Sequence, residues 1–545
     1  MRTEEHKKAG LLYLLGALVW FAAVTWVNFH GAQWYNFDMF ADASFARLAA
    51  QQHSLFPEGW VFGNQYYVIA TPAVAALFQM LFHNTLLSMA LASTLMYALI
   101  LLCFYWCCRE LFSLKAQRLG LFCMAGATVL GDSVSSCTYG FQILFSMASY
   151  YACYVLVILL HLGIWVRIRR GRKLSALIIA AALLCSLALG VQSPRETLSL
   201  CIPLFLMTWL AALHKRAAAE QRSAWFATAS LGANLLGLVL NGLVKRTWGS
   251  HYASNVGTLD MELQPSELLQ RGKEALSAFA DLVGFRYLDY SWKWKPIAAL
   301  GLFLLALTLL ALVLRLRRRG PDPAALPMAF CWLSLLCVLG AGVLAVRVRA
   351  IYFFVWFLLV PFSVCWLCDA LEGRQKQWLG AGILLCGMLS FVFNFYPDLA
   401  RYSSQRGFYQ DISAWMEAHD VQTVYGDYQA PTIAACTGDA LAYSSVFPNL
   451  SADSPDGKGL LIPNGSPVEV SAYRAVDPEH AVLILSDSPY DDSSGYRYLQ
   501  AHASDTYRQR FEECFTPEAV FESLYVTYHV YSFRDAEIFP PDSVP

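Results

Sequence analysis

From the N-terminus to about Tyr396, long apolar runs alternate with short basic clusters, and beyond that point the chain turns polar and acidic. There are twelve runs, ten of them near the roughly 20 residues needed to cross a bilayer. Eleven are read as spans: 11–29, 85–108, 119–131, 141–165, 174–190, 197–213, 224–244, 296–314, 327–345, 351–371 and 378–396. The twelfth, 66–82, is short and contains Pro72, and counting it as a span would put Arg109, Lys115 and Arg118 outside. It is therefore expected on the outer surface. The first run ends in Val27-Asn28-Phe29-His30 without a small-residue cleavage site, which predicts a retained span rather than a removed leader.

The expected fold is an all-α polytopic membrane domain of about eleven transmembrane helices over 1–397, with a small extracytoplasmic α/β domain over 398–545. In that last part, a helical pattern covers 411–419, strand-like runs cover 423–425 and 481–485, and alternation marks 523–533. Two outer loops are long, 30–84 and 245–295, and loops of that length usually carry function. No segment repeats with a fixed period, and only 449–458 reads as a loose loop.

Composition supports the partition. The chain is 57% hydrophobic and 14% charged, too apolar for a water-soluble globule. Residues 398–545 hold 22 acidic against 8 basic side chains, which leaves the membrane part positive. With the N-terminus inside, the clusters Arg2/Lys7/Lys8, Arg109/Lys115/Arg118, Arg167 to Lys173, Lys215/Arg216/Arg222, Arg315 to Arg319 and Arg374/Lys376 put 20 bases in the cytoplasm. The longer outward loops before the last domain hold 11, so the positive-inside bias fixes the expected orientation. Thirteen of the fifteen cysteines lie in or beside apolar runs, where they behave as small hydrophobes. Cys436 and Cys514 fall in the polar domain, where a disulfide is chemically permitted.

Candidate chemistry gathers at the outward turns. If 37–52 is a helix, Phe37, Ala41, Ser44 and Leu48 share its apolar face, and Asp38 and Asp42 stand together at its edge. A carboxylate there can take a proton from a hydroxyl that attacks an activated carbon, while solvated or capping acids are the plainer reading. Arg347 and Arg349 run against the inside bias. They suit either a phosphate held by planar guanidinium forks or snorkelling toward lipid head groups. Arg195-Glu196 after Ser193-Pro194, and Asp132, lie in short outer turns and read first as an ion pair or caps. Lys245, Arg246, His251, Tyr252, Arg286 and Tyr287 form a basic and aromatic set that suits an anionic lipid or a solvated loop. Asp487, Asp491 and Asp492 match no calcium loop, and no zinc pattern, phosphate-binding glycine loop or G-x-S-x-G is present, so no cofactor is firmly implied and no motif supports a divalent metal.

The arrangement resembles the GT-C superfamily of integral-membrane glycosyltransferases, particularly its bacterial aminoarabinose and mannosyl transferase branch. The resemblance rests on an acid after the first span (Asp38), on Gln65-Tyr66-Tyr67 leading to Pro72, and on Arg349-Ala350-Ile351-Tyr352 with Pro361 after it. Val424-Tyr425-Gly426-Asp427-Tyr428 and Thr437-Gly438-Asp439-Ala440-Leu441 extend it into the last domain. The usual Asp-Glu pair is Asp38-Met39 here, and the surface segment lacks its usual lysine. The resemblance implies a polyprenyl-phosphate sugar donor and transfer with inversion to a glycan, lipid or protein acceptor. Asp38, with Asp42 as alternative partner acid, would be the base. Arg349 and Arg347 would hold the donor phosphate, and Tyr66, Tyr67, Asp132, Arg195, Glu196, His251, Tyr252 and Tyr352 would line the cavity. A transporter or flippase and a non-catalytic scaffold are the competing classes; span middles nearly free of ionisable residues argue against the first. Nothing points to nucleic acid.

Overall fold

The computed structural model describes residues 2–30, 37–57, 60, 62, 65–129, 151–215, 217–247, 265–289, 292, 295–318, 320, 322–344, 348–427, 442–448, 461–463, 478–489, 494–523 and 526–534. In chain order the helices are α1 (Arg2–His30), α2 (Phe37–Gln52), α3 (Thr71–Phe82), α4 (Thr85–Cys108), α5 (Leu114–Phe122), α6 (Ala152–Arg169), α7 (Ala176–Gln192), α8 (Ile202–Lys215), α9 (Ala218–Thr247), α10 (Pro265–Val283), α11 (Lys295–Arg317), α12 (Leu326–Val343), α13 (Trp356–Ala370) and α14 (Gly373–Ala418). The last part adds β1 (Thr423–Gly426), β2 (Ala442–Pro448), β3 (Leu461–Pro463), β4 (Ala481–Asp487), α15 (Gly495–His502), α16 (Asp505–Cys514), β5 (Phe515–Glu522) and β6 (Thr527–Phe533).

Among the described residues, eight helical stretches are long and apolar enough to cross a bilayer, and they coincide with eight of the eleven expected spans. This is a multi-pass membrane protein. Leu11, Leu15, Leu18 and Val19 on α1, and Leu302, Leu309 and Leu316 on α11, are exposed on the protein surface, as lipid-facing residues are. The other three expected spans differ in form. α7 is shorter, at 17 residues. The run 378–396 lies inside α14. The run 119–131 does not form one helix: α5 gives way to a wide π turn over Cys123–Ala127, where Gly126 takes φ 132°, a conformation a Cβ would obstruct. The expected surface segment forms α3, whose 12 residues reach only about 18 Å, short of a bilayer core of about 30 Å.

α14 is one 46-residue helix, about 69 Å long, so the expected boundary at 397/398 falls within a continuous element. Its last turns cover one face of a six-stranded sheet of order β3-β2-β1-β4-β6-β5, in which β1 pairs in parallel with β2 and β4 and the other pairs are antiparallel. Strand alternation sorts the two faces. Val424, Val482, Ile484, Tyr528 and Val530 join Phe408, Ile412 and Met416 of α14, while Tyr425, Leu483 and Leu485 join Leu499, Tyr507 and Phe511 of α15 and α16. The three strand regions expected from the sequence are present as β1, β4 and β6. β5 escaped notice because Pro517 sits at a register shift that blurs its alternation.

Candidate functional site

The best-formed polar site lies at the N-terminal end of α6. Arg195 occupies the short turn between α7 and the wide-turned start of the next span at Thr197–Cys201. Its Nη1 donates to Gln65 Oε1 at 2.5 Å, and its guanidinium lies 5.5 Å from the ring centre of Tyr151 and 5.7 Å from that of Tyr352. Tyr154 donates its hydroxyl to the same Gln65 oxygen at 3.0 Å, accepts from Gln192 Nε2 at 3.2 Å, and lies 2.8 Å from Ser193 Oγ. Gln192 fixes the partner segment as well. Its carbonyl accepts from Tyr66 N at 3.1 Å, and its Oε1 accepts from the amides of Val68 and Ile69 at 3.2 and 3.3 Å. These bonds satisfy buried backbone groups that helix geometry leaves open, and they hold Gln65 against Arg195.

Arg349 precedes the 3₁₀ turn Ala350–Phe353 that carries Tyr352, and its side chain is exposed. Burial raises the Tyr151 phenol above its usual range; Arg195 acts most strongly against that, and Arg349 acts in the same direction. Burial opposes the charge on Arg195, but the facing phenols of Tyr151, Tyr154 and Tyr352 favour it and the net shift is upward. Among the described residues no carboxylate forms an ion pair with Arg195 or Arg349. A guanidinium has five N–H donors, and one from Arg195 goes to Gln65, so the arrangement can receive an anion.

The expected Arg195–Glu196 ion pair is absent, because Glu196 points the other way, into the α7–α9 contact, where Ser186 and Asn234 bond its carboxylate oxygens. The α2 helix matches the expected 37–52, but its buried stripe differs. Asp42, Ala43, Phe45, Ala46, Ala49 and Ala50 face inward, whereas Ser44 and Leu48 are only half-buried, so Asp42 sits within the packed face rather than at its edge. Alanines occupy several possible stripes here, so periodicity alone does not select one. Phe45 packs edge-on against Tyr67 at 4.8 Å and Trp60 at 5.5 Å, and Tyr66 against Phe62 at 4.9 Å. Tyr66 and Tyr67 thus form a buried aromatic wall joining α2 to the Gln65 segment. The Asp38 backbone lies in the first turn of α2. Its side chain, and Asp132, His251, Tyr252 and Arg347, lie outside the described residues.

Sequence reasoning missed Gln65, Tyr151, Tyr154 and Gln192 as site residues. The available signal was a glutamine ending an apolar run, since a polar side chain there is placed to answer open carbonyls and amides. It also missed α10, whose Phe279 packs on Phe353 at 5.5 Å and Trp356 at 5.7 Å and so buttresses the Tyr352 turn. In the last domain Asp487 pairs with Arg497 at 3.0 Å, and Asp427 accepts from Ser486 N and Oγ and from Gly495 N, a cap on α15. No group of three potential metal ligands occurs among the described residues.

No family model and no curated protein matches this chain. Among solved structures it is similar to ArnT from Cupriavidus metallidurans bound to undecaprenyl phosphate, with 12% identity and a TM-score of 0.40 over 95% of this chain and 97% of that one. It is likewise similar to ArnT from Cupriavidus metallidurans in the apo state, with 12% identity and a TM-score of 0.40 over 97% and 99% of the two chains.

Proposed function

We propose that this chain is a membrane glycosyltransferase that moves a sugar from a polyprenyl-phosphate carrier to an acceptor hydroxyl on the outer side of the membrane, with inversion. The observation that carries this reading is the Arg195 guanidinium, held by Gln65 and facing the rings of Tyr151 and Tyr352, without a carboxylate partner among the described residues. The sequence resemblance set out above agrees with it, as does the orientation expected from the basic clusters, which puts this end of α6 outside. A lipid-borne donor reaches such a site laterally and needs no nucleotide there.

In the reaction, a carboxylate of α2 takes the proton of the acceptor hydroxyl as its oxygen attacks the anomeric carbon. The bond from that carbon to the carrier phosphate breaks, and the electron pair leaves with the phosphate. Asp38 is assigned as the base, with Asp42 buried one turn later on the same helix. Negative charge grows on the phosphate as the bond breaks, so fixed guanidiniums stabilise the transition state more than the ground state. Arg195 is the principal phosphate ligand, with Arg349 at the exposed mouth and Arg347 beside it in sequence. The test is incubation of membranes containing the protein with a panel of labelled polyprenyl-phosphate sugars. Label should move to an acceptor in an Arg195-dependent way; no transfer from any carrier, together with no carrier binding, overturns the reading.

A further inference from the structure

Directly behind Arg195 is a polar network that the proposed reaction does not use. Glu196, Ser186, His161 and Asn234 are each no more than 1% exposed. Ser186 Oγ lies 3.0 Å from Glu196 Oε1 and 3.1 Å from His161 Nε2. His161 Nδ1 lies 2.9 Å from the Val157 carbonyl. Asn234 Nδ2 donates to Glu196 Oε2 at 3.2 Å and to the Ser186 carbonyl at 3.1 Å, and its Oδ1 accepts from Thr197 Oγ1 at 2.6 Å. The network closes because α7 and α9 touch backbone to backbone at Gly190 and Gly237, where a Cβ on either would overlap the other helix.

Hydrogen counting constrains it. A carbonyl only accepts, so His161 Nδ1 carries a proton. The single Ser186 proton can go to His161 Nε2 or to Glu196 Oε1, not to both. With neutral His161 and ionised Glu196, one of those two contacts would set lone pair against lone pair. One more proton is required. Placed on His161, it leaves two opposite charges separated by a serine in a buried site; placed on Glu196, it leaves none, and burying a separated ion pair is the costlier state.

We propose that Glu196 is held as a neutral carboxylic acid and acts as a positioning residue that keeps the neighbouring Arg195 charge uncompensated. Its acid proton is donated to Ser186, whose hydroxyl donates to His161, and Asn234 donates to its other oxygen. Turned away and neutral, the adjacent acid neither pairs with Arg195 nor competes with an incoming anion. The part concerning the anion rests on the proposed carrier-binding reading; the protonation does not.

The experiment is infrared difference spectroscopy on the purified full-length protein against Glu196→Gln, with binding of a polyprenyl phosphate measured alongside. A protonated-carboxyl C=O stretch present in the wild type should vanish in the variant; loss of carboxylate bands instead overturns the proposal. A glutamine amide can reproduce the donor to Ser186 and the acceptor from Asn234, so Glu196→Gln should retain carrier affinity. Glu196→Ala, folded by circular dichroism, removes the bonds to Ser186 and Asn234 that anchor the turn carrying Arg195 and should lose about tenfold or more. Equal losses in both variants also overturn the positioning role. If wild-type protein binds no polyprenyl phosphate, the proposed function fails while the infrared result still decides the state of Glu196.

Discussion

The two ends of α6 use arginine in opposite ways. At its C-terminal end, Arg167 lies 3.8 Å and Arg172 3.5 Å from Glu110, and Arg169 lies 2.5 Å from Glu220. Arg167 also donates to the carbonyls of Gly163 and Trp106 and lies 3.7 Å from the Trp106 ring centre. Those guanidiniums are committed, and they tie α6 to α4 and α9. At the N-terminal end, Arg195 has one amide oxygen and two neutral rings, and Arg349 no described acid. A cation answered by carboxylates is part of the scaffold. One answered by a single amide oxygen and aromatic faces retains donors for a ligand, which is why the site is proposed at the Tyr151 end.

The comparison can be broken or sharpened by substitution. The largest effect is expected where the site meets α2: Asp38→Asn should lower turnover by about 10²–10⁴-fold with carrier binding retained. Near-normal transfer by folded protein would remove Asp38 from the mechanism, and a collapse confined to Asp42→Asn would move the role one turn along. Next, Arg195→Lys should weaken carrier binding by about 1.5–3 kcal/mol, since a point charge does not replace a bidentate fork. The matching change at the other end, Glu220→Gln, should reduce thermal stability by about 1–2 kcal/mol and leave carrier affinity unchanged. If it altered affinity instead, the division between the two ends would not stand. Smallest is Arg349→Lys, where solvent exposure limits the expected loss of carrier affinity to about 1 kcal/mol or less, still larger than for Arg401→Lys.

Much of this architecture could be read from the chain. Eight spans, α2 and three strands follow from periodicity and length, because burial in lipid or against a sheet imposes those patterns. Arg349 stood out in the sequence as a candidate because a base on the expected outer side runs against the inside bias. Arg195 was expected only as a cavity-lining residue and not as a phosphate ligand, because its adjacency to Glu196 suggests a local pair, and only the packing of α7 on α9 shows Glu196 turned into the contact between those helices. Its partner Gln65 is 130 positions away, a relation that no window of one sequence contains. The buried position of Asp42 was hidden by its alanine-rich surroundings, which let several helix faces look equally apolar.

The most direct measurement compares the binding of a polyprenyl phosphate with that of the uncharged polyprenol, for wild-type protein and Arg195→Gln, at fixed ionic strength in one detergent. Wild type should prefer the phosphate, and the substitution should abolish most of that preference while affinity for the alcohol stays the same. Equal affinity of wild type for the two lipids, or a preference that survives Arg195→Gln intact, would contradict the assignment of this end of α6 as the carrier-phosphate site.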